Sequence, residues 1–297
     1  MNSFANDFRY VWNGPNRTLF RIIIVNIAVW VAVNVVNLFV PRAPIALLAE
    51  YLMLPSGFLD ALMQPWGFVT TFFTHQALGH LFWNMVILYW FGEICNSLMG
   101  SRKMLGLYLL GGLAGGLAYL AMANLFPYFG ANAGAGALGA SAAVNAVLLG
   151  TATIAPDYRM HLLFLGPVKI KYIALVVVLL SVFGLRGPNV GGEVAHLGGA
   201  LIGYLYVMNL RRGVDMGRWL LSGLDWAERL FAKRERPVRV KVSYRRQEHE
   251  QPRQAPGAAM PAQDVVDAIL DKISAKGYKS LSDEEKQVLF RASQKKD

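Results

Sequence analysis

The sequence predicts an all-α protein, a polytopic membrane bundle of six transmembrane helices. Three observations predict it. The chain is 55% hydrophobic and only 16% charged, with a mean hydropathy of +0.36, whereas soluble domains carry roughly 25% charged residues. Its apolar residues gather into stretches near the roughly 20 residues that a spanning helix needs. Its basic residues are lopsided, with ten of the 29 Lys and Arg before position 211 and 19 from there onward.

Taken in order, the first span covers about 19–40. The first 16 residues carry Asp7 and aromatics and lack the plan of a cleaved leader, so this helix is expected to be retained. The second span covers 77–98, the third 103–125, the fourth 141–156, the fifth 168–185 and the sixth 194–210. The fourth and fifth are short, which suits helices buried among others or a thinned bilayer. Between the first two, residues 41–75 carry Trp66, Phe68, Phe72 and Phe73 with few charges, and read as a lateral loop lying partly in the outer leaflet.

Counting from an inside start, the inner segments carry Arg9, Arg17, Arg21, Arg102, Lys103, Arg159, Lys169 and Lys171, and the outer ones only Arg42 and Arg186. The positive-inside rule then puts both ends on the cytoplasmic side. The expected location is a cell membrane, plasma or inner. Domain organisation follows. Residues 1–212 form the membrane domain and 213–233 an interfacial amphipathic helix with Met216, Leu220, Leu224, Ala227 and Phe231 on one face. Residues 234–261 form a disordered basic linker, and 262–297 a small helical segment. In that segment Ser282-Asp283-Glu284-Glu285 reads as a capping box. The net charge of +10 is read as attraction to anionic lipid, with no nucleic-acid partner. A single cysteine, Cys95, excludes an intrachain disulfide, and no Cys/His cluster has metal-ligand spacing.

Polar groups at membrane depth are functional candidates because burying them is costly. His80 and Asn84 lie four apart, on one face of the second helix near its outer end. They suit either an oxyanion or helix–helix hydrogen bonding. His75, just before that helix, is placed to brace the loop. Ser141 opens the fourth helix after a Gly/Ala-rich run that ends at Gly139, where unpaired amides gather. His196 is followed one turn later by Gly199 and then by Gly203, so its face can approach another backbone closely. The fourth helix is the suitable partner, which would bring His196 to Ser141 as a general base. Asn145, one turn below Ser141, is read as structural or as a partner for water or for His196. A transporter reading would need charges deep in several spans or repeated halves, and neither is seen.

At these residues the sequence resembles the rhomboid family. The resemblance covers about residues 65–210. It rests on Pro65-Trp66, His75 with His80-Leu81-Phe82-Trp83-Asn84, Gly139-Ala140-Ser141-Ala142, and Ala195-His196-Leu197-Gly198-Gly199 with Gly203. It implies an intramembrane serine endopeptidase with a Ser–His dyad and no acid. Ser141 would be the nucleophile and His196 the base, with His80, Asn84 and the Ser141 amide around the oxyanion. It implies no cofactor and no metal, and single-span membrane proteins as substrates. A non-proteolytic relative that binds membrane proteins is the alternative, although such relatives usually lack part of the dyad. Three positions depart from the family pattern. Ala142 follows the serine where Gly is frequent. Gly67 follows Trp66 where an Arg often anchors the loop. Asn145 stands where many members carry an aromatic under the histidine.

Overall fold

The structure, a computed structural model, describes residues 12, 14, 17–39, 50–163, 165–231 and 263–293. It divides into two compact units, 1–233 and 234–297. In the first unit the elements run α1 (Arg17–Phe39), β1 (Leu54–Pro55), α2 (Phe58–Met63), α3 (Gly67–Thr70), α4 (Leu78–Met99), α5 (Ser101–Leu125), α6 (Pro127–Asn132) and β2 (Gly136–Ala137). They continue with α7 (Ser141–Ile154), β3 (Arg159–Leu162), β4 (Gly166–Lys169), α8 (Ile170–Gly184), α9 (Val190–Arg211) and α10 (Arg218–Phe231).

The bundle is built inside out compared with a soluble one. Its outer surface is apolar, with Phe82 55%, Leu180 64% and Phe183 74% exposed. An exposed apolar surface of this extent marks contact with lipid. Residues 17–36 and 101–125 are helices long and apolar enough to cross a membrane, and α7 and α8 are apolar but shorter.

The interior is held by small residues. A Cβ at Gly199 or at Gly203 would land on the backbone of Ala142 or of Ala146 in α7. On the other side, a Cβ at Gly115 of α5 would meet the side chain of Ala142 and, at 2.8 Å, the Ala195 carbonyl. Three backbones, α5, α7 and α9, therefore touch along one seam, which is how membrane helices gain dispersion energy without a hydrophobic driving force. The sequence expectation of close approach on the histidine face holds. The contribution of α5, through Gly111 and Gly115, was not foreseen.

The helical bundle also carries two short antiparallel ladders. Leu54 pairs with Ala137 and Pro55 with Gly136, and Arg159–Leu162 pairs with Gly166–Lys169. The first ladder ties the lateral loop to the Gly/Ala-rich run, since small residues let two backbones pair at a helix entrance. The last helix of the bundle begins at Val190 rather than 194. The paired glycines at 191–192 look like a turn in the sequence. Gly191 is instead helical because it packs on Tyr119, where a Cβ would sit 2.6 Å from the ring.

Among the described residues, Gln64 and Trp66 anchor the lateral loop. Gln64 Nε2 donates to the carbonyls of Glu50, Tyr51 and Met53 at 3.1, 2.9 and 2.8 Å. Trp66 Nε1 donates to the Tyr51 carbonyl at 2.7 Å, and Gly67 leaves room for the Met53 carbonyl, 2.6 Å from where a Cβ would be. The exposed Leu59, Leu62 and Met63 point outward. The 41–49 part of the expected loop lies outside the described residues.

On the basic face, Asp157 accepts from Lys169 and Lys171 at 2.9 Å each. These two ammonium groups hold its carboxyl well below the usual range, at about 2. Helix α10 packs Leu221 into the bundle, with Arg102 paired to Asp225, and leaves Trp219 and Trp226 65% exposed.

The second unit contains α11 (Gln263–Lys276), a 3-10 turn (Tyr278–Ser280) and α12 (Asp283–Ser293). Gly277, at φ +78°, ends α11. The capping box forms, with Ser282 N donating to Glu285 Oε2 at 2.7 Å and Glu285 N to Ser282 Oγ at 3.3 Å. Lys272 Nζ reaches Glu285 Oε1 at 2.7 Å and joins the two helices. The linker expected at 234–261 lies outside the described residues.

Candidate active site

Ser141 is the first residue of α7, two positions after Gly139, whose φ of +117° suits glycine. Three hydrogen bonds fix this turn. The Gly139 amide donates to the Thr71 carbonyl at 2.9 Å, Thr71 Oγ1 donates to the Ala137 carbonyl at 2.7 Å, and the Ala140 amide donates to His75 Nε2 at 3.3 Å. His75 is 2% exposed, and burial, followed by the neighbouring His80, pushes it down to about 4. It is therefore a neutral acceptor, and it braces the turn before Ser141. With the amides of 139 and 140 engaged, those of Ser141 and Ala142 begin the helix, where amides have no intrahelical partner.

His196 Nε2 lies 2.7 Å from Ser141 Oγ. The close seam of α7 on α9 delivers this contact. Both side chains line a cavity of about 560 Å³, together with His80, Gln76, Glu50 and Asn189. Its lining includes polar side chains that can hold water. His80 stands against the turn, its Nε2 3.0 Å from where a Gly139 Cβ would be, and edge-on to His75 with ring centres 5.1 Å apart. Any side chain at 139 would displace it.

Asn84 is placed differently. It is buried, and its Nδ2 donates to the His80 carbonyl one turn earlier, at 2.9 Å. It is not among the residues lining the cavity. Asn145 sits one turn along α7, and among the described residues no hydrogen bond joins it to Ser141 or His196. Gly199 serves the helix seam rather than the chemistry.

One residue was missed. Glu193 Oε2 lies 3.1 Å from His196 Nδ1, on the far side of the ring from Ser141. The pair is i,i+3 on α9. It exists because the helix begins at Val190, so that Glu193 falls in its first turn. Placing the helix start at 194 hides it. Among the described residues no group of three or more His, Cys, Asp and Glu could hold a metal.

Comparison with known proteins agrees with this fold. The rhomboid domain matches residues 62–213, half of the chain, and the protein belongs to the rhomboid family. A family of unknown function (DUF6576) matches residues 261–295, the helical hairpin. "RHOMBOID-like protein 12, mitochondrial" of Arabidopsis thaliana is 31% identical over 157 residues, 49% of this chain and 46% of that protein. "Rhomboid protein 1, mitochondrial" of Saccharomyces cerevisiae is 27% identical over 216 residues, 71% of this chain and 58% of that protein. "Presenilin-associated rhomboid-like protein, mitochondrial" of Homo sapiens is 28% identical over 141 residues, 46% of this chain and 35% of that protein. The chain thus spans less than two thirds of the length of each.

These relatives overturn the expected location. All three are named mitochondrial, which speaks against the plasma or inner cell membrane. The physical reason is that charge asymmetry fixes which loops stay on the side of insertion. It does not identify the compartment on that side, so the cytoplasmic label for the chain ends falls too.

Proposed function

We propose that this rhomboid-family protein is an intramembrane serine endopeptidase that crosses the bilayer six times and cleaves membrane-protein substrates in or near their transmembrane segments. The observation that carries the reading is the 2.7 Å contact between Ser141 Oγ and His196 Nε2 within a cavity that also has polar walls.

The Ser141 hydroxyl donates its proton to His196 Nε2 as Oγ attacks the scissile carbonyl carbon. The carbonyl oxygen becomes an oxyanion beside the start of α7. The Ser141 amide and His80 are the donors within reach of it, and amides fixed by the turn need no reorganisation as charge develops. His196 then returns its proton to the leaving amine, which departs and leaves an acyl ester on Ser141. A water molecule attacks that ester with His196 again as base; the bond to Ser141 Oγ breaks, His196 returns the proton to Oγ, and the carboxylic acid is released. No cofactor enters these steps.

A peptide must be extended to reach Ser141, so substrates are single-span or other transmembrane proteins whose helix unwinds readily near one end. Anionic lipid is the expected neighbour of the basic residues around α10 and beyond. The relatives' names favour a mitochondrial membrane as the location.

Cleavage of a tagged single-span reporter tests the reading. Wild type is expected to cut it, and Ser141→Ala and His196→Ala to lose at least about 10³-fold of the rate at equal protein level. Cleavage that survives in Ser141→Ala defeats the proposal. A wild type that binds but never cuts favours a membrane-protein binding role.

A further inference from the structure

We infer that Glu193 is a positioning residue for His196, making the reaction centre a Ser141–His196–Glu193 array rather than a dyad. The inference deepens the protease reading above and rests on it.

The two sides of the imidazole are separately occupied. Nε2 faces Ser141 Oγ at 2.7 Å and Nδ1 faces Glu193 Oε2 at 3.1 Å. An ionised carboxylate only accepts. Nδ1 must therefore carry the ring proton in the neutral imidazole, which leaves the Nε2 lone pair toward the serine hydroxyl. The carboxylate thus selects the one tautomer that can act as base, and it supplies a counter-charge when the ring becomes doubly protonated. The same logic governs acid members of serine-protease triads on unrelated folds.

Glu193 is itself held in place. Its side chain is 19% exposed and that of His196 20%, so the pair lies mostly out of water. Buried Ser181 of α8 stands beside the carboxyl group. Gly184, at the end of α8, makes the space, because a Cβ there would stand 2.8 Å from Glu193 Cδ and 3.0 Å from Oε1. Helix α8 thus shapes a seat for the acid, α9 carries acid and base, and α7 carries the nucleophile.

A simpler role exists for an acidic residue in a first helical turn, which is to complement the helix dipole. Such a residue would affect stability and leave turnover alone. The dipole role also does not require the carboxyl group to turn onto Nδ1, to be met by Ser181, or to be accommodated by Gly184.

The test uses the full chain in lipid bilayers, with kcat and KM for a single-span reporter, the rate of Ser141 labelling by a fluorophosphonate, and the thermal unfolding midpoint. Glu193→Gln keeps the shape and removes the charge. It is expected to lower kcat about 10- to 100-fold, with KM within about twofold and the unfolding midpoint unchanged. This is less than the ~10⁴-fold seen where a fully buried acid is neutralised. Labelling should slow in parallel. Ser181→Ala should lower kcat about two- to fivefold in the same pattern. An unchanged kcat and labelling rate in Glu193→Gln, beside an active wild type, overturns the role of Glu193 alone. A drop that merely follows a lowered unfolding midpoint also overturns it, because that is the signature of the dipole role. A wild type that neither cleaves nor labels at Ser141 overturns the protease reading and this inference together.

Discussion

His75 shows how a single residue can matter without touching the reacting atoms. Its Nε2 accepts the Ala140 amide at 3.3 Å, next to the nucleophile. Replacing it with Ala leaves a buried amide unpaired, at a cost of about 1–3 kcal/mol, and loosens the turn that aims Ser141. His75→Ala is expected to lower both the unfolding midpoint and the labelling rate of Ser141. Its pH behaviour has a definite sign. The folded value is about 4, below the ordinary 6.5, so between these values the unfolded chain binds a proton that the folded one does not. Stability is then fully present above about pH 6.5 and lost as pH falls toward 4. The unfolding midpoint of wild type should fall more steeply across that window than that of His75→Gln, and equal slopes would contradict the assignment. Ser141, His196, His80 and His75 were legible in the sequence because each is a polar group where apolar ones are expected. Glu193 was not, since its meaning depends on a helix start that paired glycines disguise. Gln64 was not, since its three carbonyl partners come from an irregular segment with no period to read.

Among the elements, helices were the readable part. Apolar length located α1, α4, α5, α7 and α8 to within about two residues at most ends, since a chain in lipid must satisfy its backbone internally. The two ladders were invisible, because strands of two to four residues, such as Gly136–Ala137 and Arg159–Leu162, are too short for an alternation to stand out. What the elements do together hangs on the seam between α7 and α9. Gly199→Val puts side-chain atoms where the Ala142 backbone lies, and overpacking of this kind costs about 1–3 kcal/mol or more. The helices must separate, and the 2.7 Å contact between Ser141 and His196 opens with them. Activity is expected to fall further than stability. A Gly199→Val protein with wild-type turnover would show that the seam does not set the catalytic distance.

For the whole molecule, the distribution of basic residues makes the strongest claim. On the proposed reading of six crossings, the start of the membrane domain and residues 263–293 are expected on the same side of the bilayer. Single cysteines introduced at Gly14 and Phe290, in a Cys95→Ser background, should both react with an impermeant maleimide from one side of sealed vesicles. Reaction from opposite sides would mean an odd count and refute the six-span topology. The same charges that argue for sidedness misled on location, since sidedness is a physical property of the insertion and a compartment is not. The hairpin's fold was legible down to its capping box, while nothing in its sequence announces a role.

The protease reading is tested most directly by mapping the residue that a fluorophosphonate modifies in the folded protein in lipid. The adduct is expected on Ser141 alone, and to vanish in His196→Ala although Ser141 is still present. An adduct on another serine, or undiminished labelling of Ser141 without His196, would contradict the assignment of these two residues as nucleophile and base.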